Sequence, residues 1–195
     1  MKFFVATKNA HKLAEFGKIF EGSGISLFSE KDLAKPLPEA EETGSTFREN
    51  ALIKAREGCK ATGMPSIADD SGLCVDYLGG APGIYSARYA GEHGDDNANN
   101  QKLLKELDGV AINKRTARFI SAIACVFPDG REFTVEGAVE GVIDTKPNGN
   151  GGFGYDPLFI TEYGCFGVVP PEVKNAVSHR ANAIKKFKEE IKKYI

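Results

Sequence analysis

The sequence predicts an α/β fold built on an elongated mixed β-sheet flanked by helices. Helical and strand patterns alternate through the first half of the chain, which favours parallel strands joined by helices. Two long β-rich runs, Thr116 to Phe127 and Arg131 to Ile143, then meet at Pro128-Asp129-Gly130, a hairpin signal that adds an antiparallel pair. No linker, repeat or low-complexity stretch interrupts the 195 residues, so one domain, residues 1–195, is expected, long enough to divide into two lobes about a cleft.

Each element has a local cause. Lys2 to Ala6 reads as a buried strand, and Ala10 to Phe20 as a helix with Leu13, Phe16, Ile19 and Phe20 on one face. Ile25 to Phe28 is a short strand, and Pro36 to Glu42 an acidic, proline-containing loop. Thr46 and Glu49 have the spacing of a capping box, opening a helix to about Ala61 with Phe47, Ala51, Ala55 and Cys59 near one face. A strand is expected to end at Asp69, followed by another from Leu73 to Tyr77 and an irregular segment from Gly79 to Gly83. Asp95 opens a helix covering Leu103, Leu104 and Leu107 that stops at Gly109. Beyond the hairpin, a glycine-rich loop from Asn148 to Gly154 precedes a short strand, Leu158 to Ile160. A last helix starts at Ser178 and turns Ile184, Phe187 and Ile191 inward.

Composition excludes several classes. A formal charge of 25 minus 27, or −2, gives no global attraction to nucleic acid or an acidic membrane surface. Cys59, Cys74, Cys125 and Cys165 form no CxxC pair, which argues against structural zinc and fits a reducing cytoplasm. No signal peptide, lipidation motif or long apolar span is present, so a soluble intracellular protein is expected.

Three features point to chemistry. Asp69 and Asp70 follow the apolar run Pro65-Ser66-Ile67-Ala68 and lead into Ser71-Gly72. Adjacent ionised carboxylates repel, and a hard cation between them and a ligand relieves that repulsion, while Gly72 permits a sharp turn and close approach. Two helices carry cations at their positive ends. The first begins Thr7-Lys8-Asn9-Ala10-His11-Lys12 with Asn9 as N-cap, and the last begins Ser178-His179-Arg180, with Lys174 upstream. Free N–H groups beside basic side chains suit a polyphosphate. Finally, Gly149 to Gly154 matches GxGxxG, yet Pro147 precedes it and Tyr155-Asp156-Pro157 follows, so the strand and helix of a dinucleotide fold are missing. The loop instead places Phe153 and Tyr155 where an aromatic face can lie open to stack a base, with Asp156 held extended by Pro157.

Taken together, these motifs resemble the inosine triphosphate pyrophosphatase (Ham1-like) family. They are Thr7-x-Asn9-x-x-Lys12, Glu42-Thr43-Gly44 with Glu49-Asn50-Ala51, and Ala68 to Leu73, then Gly79 to Tyr89, Gly152 to Pro157 and Lys174 to Arg180. The resemblance spans nearly the whole chain. It implies two lobes with an active-site cleft between them, usually a homodimer, and Mg²⁺-dependent hydrolysis of ITP, dITP and XTP to the monophosphate plus pyrophosphate, keeping these nucleotides out of nucleic acids. By position, Asp70 resembles the proton-accepting, metal-linked aspartate, with Asp69 as the alternative base, and Glu42 the second metal carboxylate. Thr7, Lys8, Asn9, Lys12, Ser71, Phe153, Gly154, Tyr155, Asp156, Lys174, His179 and Arg180 resemble the nucleotide contacts. A Maf-like pyrophosphatase acting on pyrimidine or modified nucleotides, and a nucleotide-binding module without turnover, are the alternatives.

Overall fold

The computed structural model of the chain describes residues 1–22, 24–33 and 40–194, without the side chain of residue 19. Positions 36–39 of the expected acidic loop, and the inward face expected of Ile19, therefore lie outside the described residues. Strand β1 (Lys2–Val5) leads into helix α1 (Ala10–Phe20), then β2 (Ser26–Phe28), α2 (Phe47–Thr62), β3 (Ser66–Val75) and α3 (Asp96–Glu106). The long strands β4 (Thr116–Val126) and β5 (Glu132–Ile143) follow, then β6 (Phe159–Thr161), β7 (Gly164–Cys165), α4 (Pro171–Val177) and α5 (His179–Glu190).

The strands form one seven-stranded sheet in the order β2-β1-β3-β4-β5-β6-β7. β1 pairs in parallel with β2 and β3, whereas β5–β6 and β6–β7 are antiparallel, so the sheet is mixed as the alternation and the hairpin predict. At the hairpin, the Phe127 N–H donates to the Arg131 carbonyl and Gly130 adopts φ 88°, which glycine takes at no steric cost.

The chain divides into two compact units. The first comprises Met1–Asp70, Ser121–Gly137 and Ala183–Ile195; the second comprises Ser71–Ile120 and Ala138–Asn182. In the first, Phe3, Phe16, Phe20, Ile67, Phe133, Ile184, Phe187 and Ile191 bury one core, the inward residues of α1 and α5 closing on the strands. In the second, Leu73, Val75, Leu103, Leu107, Phe119, Phe159 and Phe166 bury another.

Several local expectations are corrected. β3 does not stop at Asp69. It runs unbroken through Asp69, Asp70, Ser71 and Gly72 to Val75, and Gly72 has no positive φ. Carboxylates disfavour a strand interior, but here each has its own cationic partner. The capping box of α2 is displaced by one residue: Thr46 Oγ1 accepts from the Glu49 N–H at 3.2 Å, while the Glu49 carboxylate reaches the N–H of Ser45 at 2.6 Å. Helix α3 ends at Glu106, before the expected stop. Helix α4, unrecognised in the sequence, contains Lys174.

Candidate active site

In the first unit, α1, α2 and β3 bring two lysines to the two aspartates. Lys12, in the first turn of α1, lies 2.7 Å from Asp69 Oδ2, and the Ser121 hydroxyl on β4 donates to Asp69 Oδ1 at 2.5 Å. The Asp69 side chain has no exposed surface. Asn9 Oδ1 accepts from the N–H groups of both His11 and Lys12, so these two amides at the start of α1 are capped by the chain itself. A buried carboxylate, rather than free N–H groups, therefore offsets the cation at this positive helix end. The Thr7 hydroxyl accepts from the Asn9 N–H at 3.2 Å, fixing the turn that leads into the helix, with Lys8 exposed beside it.

Asp70 faces a different partner. The Lys54 ammonium donates to Asp70 Oδ1 and to Glu42 Oε1, each at 2.9 Å. Burial pushes the Asp70 carboxyl above its ordinary value, and the Lys54 and Lys12 ammoniums pull back without cancelling that rise. For Lys54 the balance is opposite: burial disfavours its charge, but Asp70 and Glu42 outweigh it and hold the ammonium above its ordinary value. Asp70 Oδ2 is buried with no hydrogen-bond partner among the described residues, and a group of that kind costs free energy until water or a cation meets it. Two carboxylates already converging on one cation, beside that unsatisfied oxygen, are a hard-oxygen donor set suited to a divalent ion. Among the described residues, no group of three or more His, Cys, Asp or Glu side chains could hold a metal, so further ligands would come from water or substrate.

Lys54 escaped the sequence reading, although a signal was present. Phe47, Ala51, Ala55 and Gly58 are buried along α2, and Lys54 falls on that apolar stripe. Ser121 was also missed; it shares the inward register of β4 with Phe119 and Ile123.

The second unit holds the remaining candidates. Lys174 and Asp156 form a buried pair at 2.5 Å, and Asp156 Oδ2 also accepts from the Phe153 N–H at 2.8 Å. Pro157 does not hold Asp156 extended: Asp156 opens a 3₁₀ turn, Asp156–Leu158. The Lys174 ammonium stands 4.8 Å from the Phe153 ring centre, a cation–π distance. Helix α3 grips the loop at Gly154, whose N–H donates to Asp96 Oδ2 at 2.7 Å and whose carbonyl accepts from Asn100 Nδ2 at 2.9 Å. Tyr155 is not an open aromatic; it belongs to the core, with its hydroxyl donating to the Ser86 carbonyl. Phe153 alone of the two stays partly accessible.

His179 and Arg180 do not bend back into water. His179 is buried and stacks on Phe119, the rings 4.9 Å apart and inclined by 16°. Arg180 is 1% exposed and donates to Ser71 Oγ at 3.0 Å. Burying a guanidinium is costly unless it serves an anionic or strongly accepting partner. Three of the four thiols, Cys59, Cys125 and Cys165, are unsuited to nucleophilic work, since burial pushes them up.

The chain is an α/β protein with paired carboxylates held by lysines in its first unit and, in its second, a buried lysine beside a partly accessible aromatic ring. Comparison with known proteins places it more closely. The Ham1 family profile matches residues 3–190. Proteins named dITP/XTP pyrophosphatase from Bacillus licheniformis and Nocardia farcinica are 52% and 50% identical, the alignments covering 94% of this chain and 94% and 91% of theirs. The Ham1 protein of Staphylococcus aureus superposes with a TM-score of 0.88 at 38% identity over 100% of both chains. A nucleoside-triphosphatase / dITP/XTP pyrophosphatase from Mycobacterium abscessus superposes at 0.78 with 47% identity, over 96% of this chain and 97% of that one. The chain belongs to the Ham1 family.

Proposed function

We propose that this protein is a pyrophosphatase that hydrolyses deaminated purine nucleoside triphosphates, ITP, dITP and XTP, to the monophosphate and pyrophosphate, and so keeps them out of nucleic acids. The observation that carries the reading is the Lys12–Asp69 and Lys54–Asp70–Glu42 cluster. It occurs in a chain about half identical, nearly end to end, to proteins named for that activity.

Phosphoryl transfer depends on positioning and charge neutralisation more than on covalent chemistry. Lys12 takes the phosphate chain and supports the leaving pyrophosphate. Asp70, whose Oδ2 has no hydrogen-bond partner among the described residues, orients the attacking water and accepts its proton, and its raised pKa suits a general base. Glu42 and Asp70 would hold Mg²⁺, which when bound neutralises charge developing on phosphate oxygens. Lys54, which bridges the same two carboxylates, would be left to donate to a phosphate oxygen if they held the ion. Ser71 Oγ, Phe153, Lys174, His179 and Arg180 serve the nucleoside end. The Phe153 ring stacks the base, and the donors of His179 and Arg180 meet the 6-carbonyl of hypoxanthine or xanthine. Adenine presents an amino donor there, so donor faces donor and discrimination of about 10⁴-fold or more is within reach.

Among the described residues no helix is long and apolar enough to cross a membrane. A cytoplasmic homodimer, acting on nucleotide rather than nucleic acid, completes the reading. It is supported by the free cysteines and by exposed Tyr77 and Tyr85 flanking the Gly79–Gly83 turn.

The deciding experiment measures pyrophosphate and orthophosphate separately from ITP, XTP, GTP, ATP and UTP, with Mg²⁺ and with EDTA. Pyrophosphate from ITP and XTP alone, lost in EDTA, is expected. Preferential turnover of UTP would transfer the protein to a Maf-like activity, and binding without turnover would make it a nucleotide-binding module.

A further inference from the structure

We propose that Asp69 and Ser121 are positioning residues for Lys12, and that Asp69 takes no proton from the attacking water. This deepens the pyrophosphatase reading and rests on it for the role of Lys12. A general base must keep an oxygen within reach of the proton it removes. Asp69 is fully buried, Oδ1 accepting the Ser121 hydroxyl at 2.5 Å and Oδ2 paired with Lys12 at 2.7 Å. Its neighbour differs in kind, for Asp70 Oδ2 has no hydrogen-bond partner among the described residues.

The order of contacts runs from the core outward. Ser121 is 0% exposed in the middle of β4, and its hydroxyl proton is committed to Asp69. That bond fixes the carboxylate plane, and the plane fixes the ammonium. Lys12 Nζ also stands 3.4 Å from the Asp69 carbonyl, and its main chain is anchored by the Asn9 cap. The Lys12 side chain keeps 14% of its surface exposed. A lysine side chain in water samples many rotamers, and ordering it opposes binding. Holding it in advance removes that cost when the polyphosphate arrives.

The test is a set of double-mutant cycles. Ser121→Ala and Asp69→Asn are each made with Lys12 present and with Lys12→Gln, where the amide can still donate to a residue at 69. The readouts are kcat and KM for pyrophosphate release from ITP, calorimetric affinity for inorganic tripolyphosphate, and a melting curve for every variant. With Lys12 present, each substitution is expected to change kcat/KM by about tenfold or more; in the Lys12→Gln background, by less than twofold. If Ser121→Ala does not fold, Ser121→Cys, similar in size and a weak donor, replaces it. Equal fold-losses in both backgrounds would show a structural role only and overturn the proposal. Loss of turnover in both backgrounds with Asp69→Asn, with melting unchanged, would make Asp69 the base and overturn it equally. Wild-type protein that binds tripolyphosphate but releases no pyrophosphate from ITP or XTP would refute the proposed activity, leaving the cycles to decide positioning through affinity. Wild-type protein that binds no tripolyphosphate would overturn both.

Discussion

Asp70 and Lys54 show how burial and charge set the chemistry of single residues. Asp70 gives one oxygen to Lys54 and keeps the other buried, without a hydrogen-bond partner among the described residues. Replacing it by asparagine preserves shape and removes both the proton acceptor and a cation ligand. Asp70→Asn is expected to lower pyrophosphate release from ITP about a hundredfold or more, with ITP binding still measurable by calorimetry; wild-type rates would exclude Asp70 as the base. Lys54 bridges Glu42 and Asp70 where a divalent cation would be held. Removing the ammonium with Lys54→Met removes a competitor for the same oxygens. Mn²⁺ affinity of the nucleotide-free protein is expected to rise about tenfold, equivalent to about 1.4 kcal/mol, when titrated by calorimetry. Unchanged or weaker affinity would show that Lys54 and the metal do not share those oxygens.

Among the elements, the glycine-rich loop and α3 act together. The loop has glycine at positive φ where it must turn, including Gly152 at 75°. A Cβ there would also collide with the Asp156 carboxylate, with Cγ at 2.7 Å. That carboxylate holds both Lys174 and the Phe153 N–H, so the turn, the ammonium and the aromatic ring share one anchor. Gly152→Ala is expected to raise KM for ITP about tenfold while leaving tripolyphosphate affinity unchanged, because Lys12, Lys54 and the paired aspartates belong to the other unit. An equal loss of tripolyphosphate affinity would separate Gly152 from base recognition.

For the molecule as a whole, net charge is close to neutral at −2, and selection among nucleotides falls to local clusters, not to a global field. A ligand that binds only the native state stabilises it by about 2.7 kcal/mol at a hundred times its Kd. For a chain of this size that corresponds to roughly 5–10 °C in Tm. Differential scanning calorimetry of the Asp70→Asn variant, which consumes its ligand only slowly, is expected to show such a rise with ITP and XTP and a smaller one with ATP and UTP. Equal rises with all four would remove base selectivity from the second unit.

Periodicity, turn chemistry and ordered motifs are local properties of the chain, and they made legible the alternation of elements, the β4–β5 hairpin, the amphipathic faces of α1 and α5, and the family. It also brought out Asp70, Lys12, His179 and Arg180, each unusual for its local setting. The tertiary structure decided which partner each charge takes. Continuous β3 pairing carried Asp69 and Asp70 into the interior, and long-range packing gave Asp69 to Lys12 and Ser121, and Asp70 to Lys54. Ser121 lies 52 residues from Asp69, a contact that leaves no periodic trace, and Lys54, though it falls on the buried stripe of α2, meets Glu42 and Asp70 only when the helix closes on them.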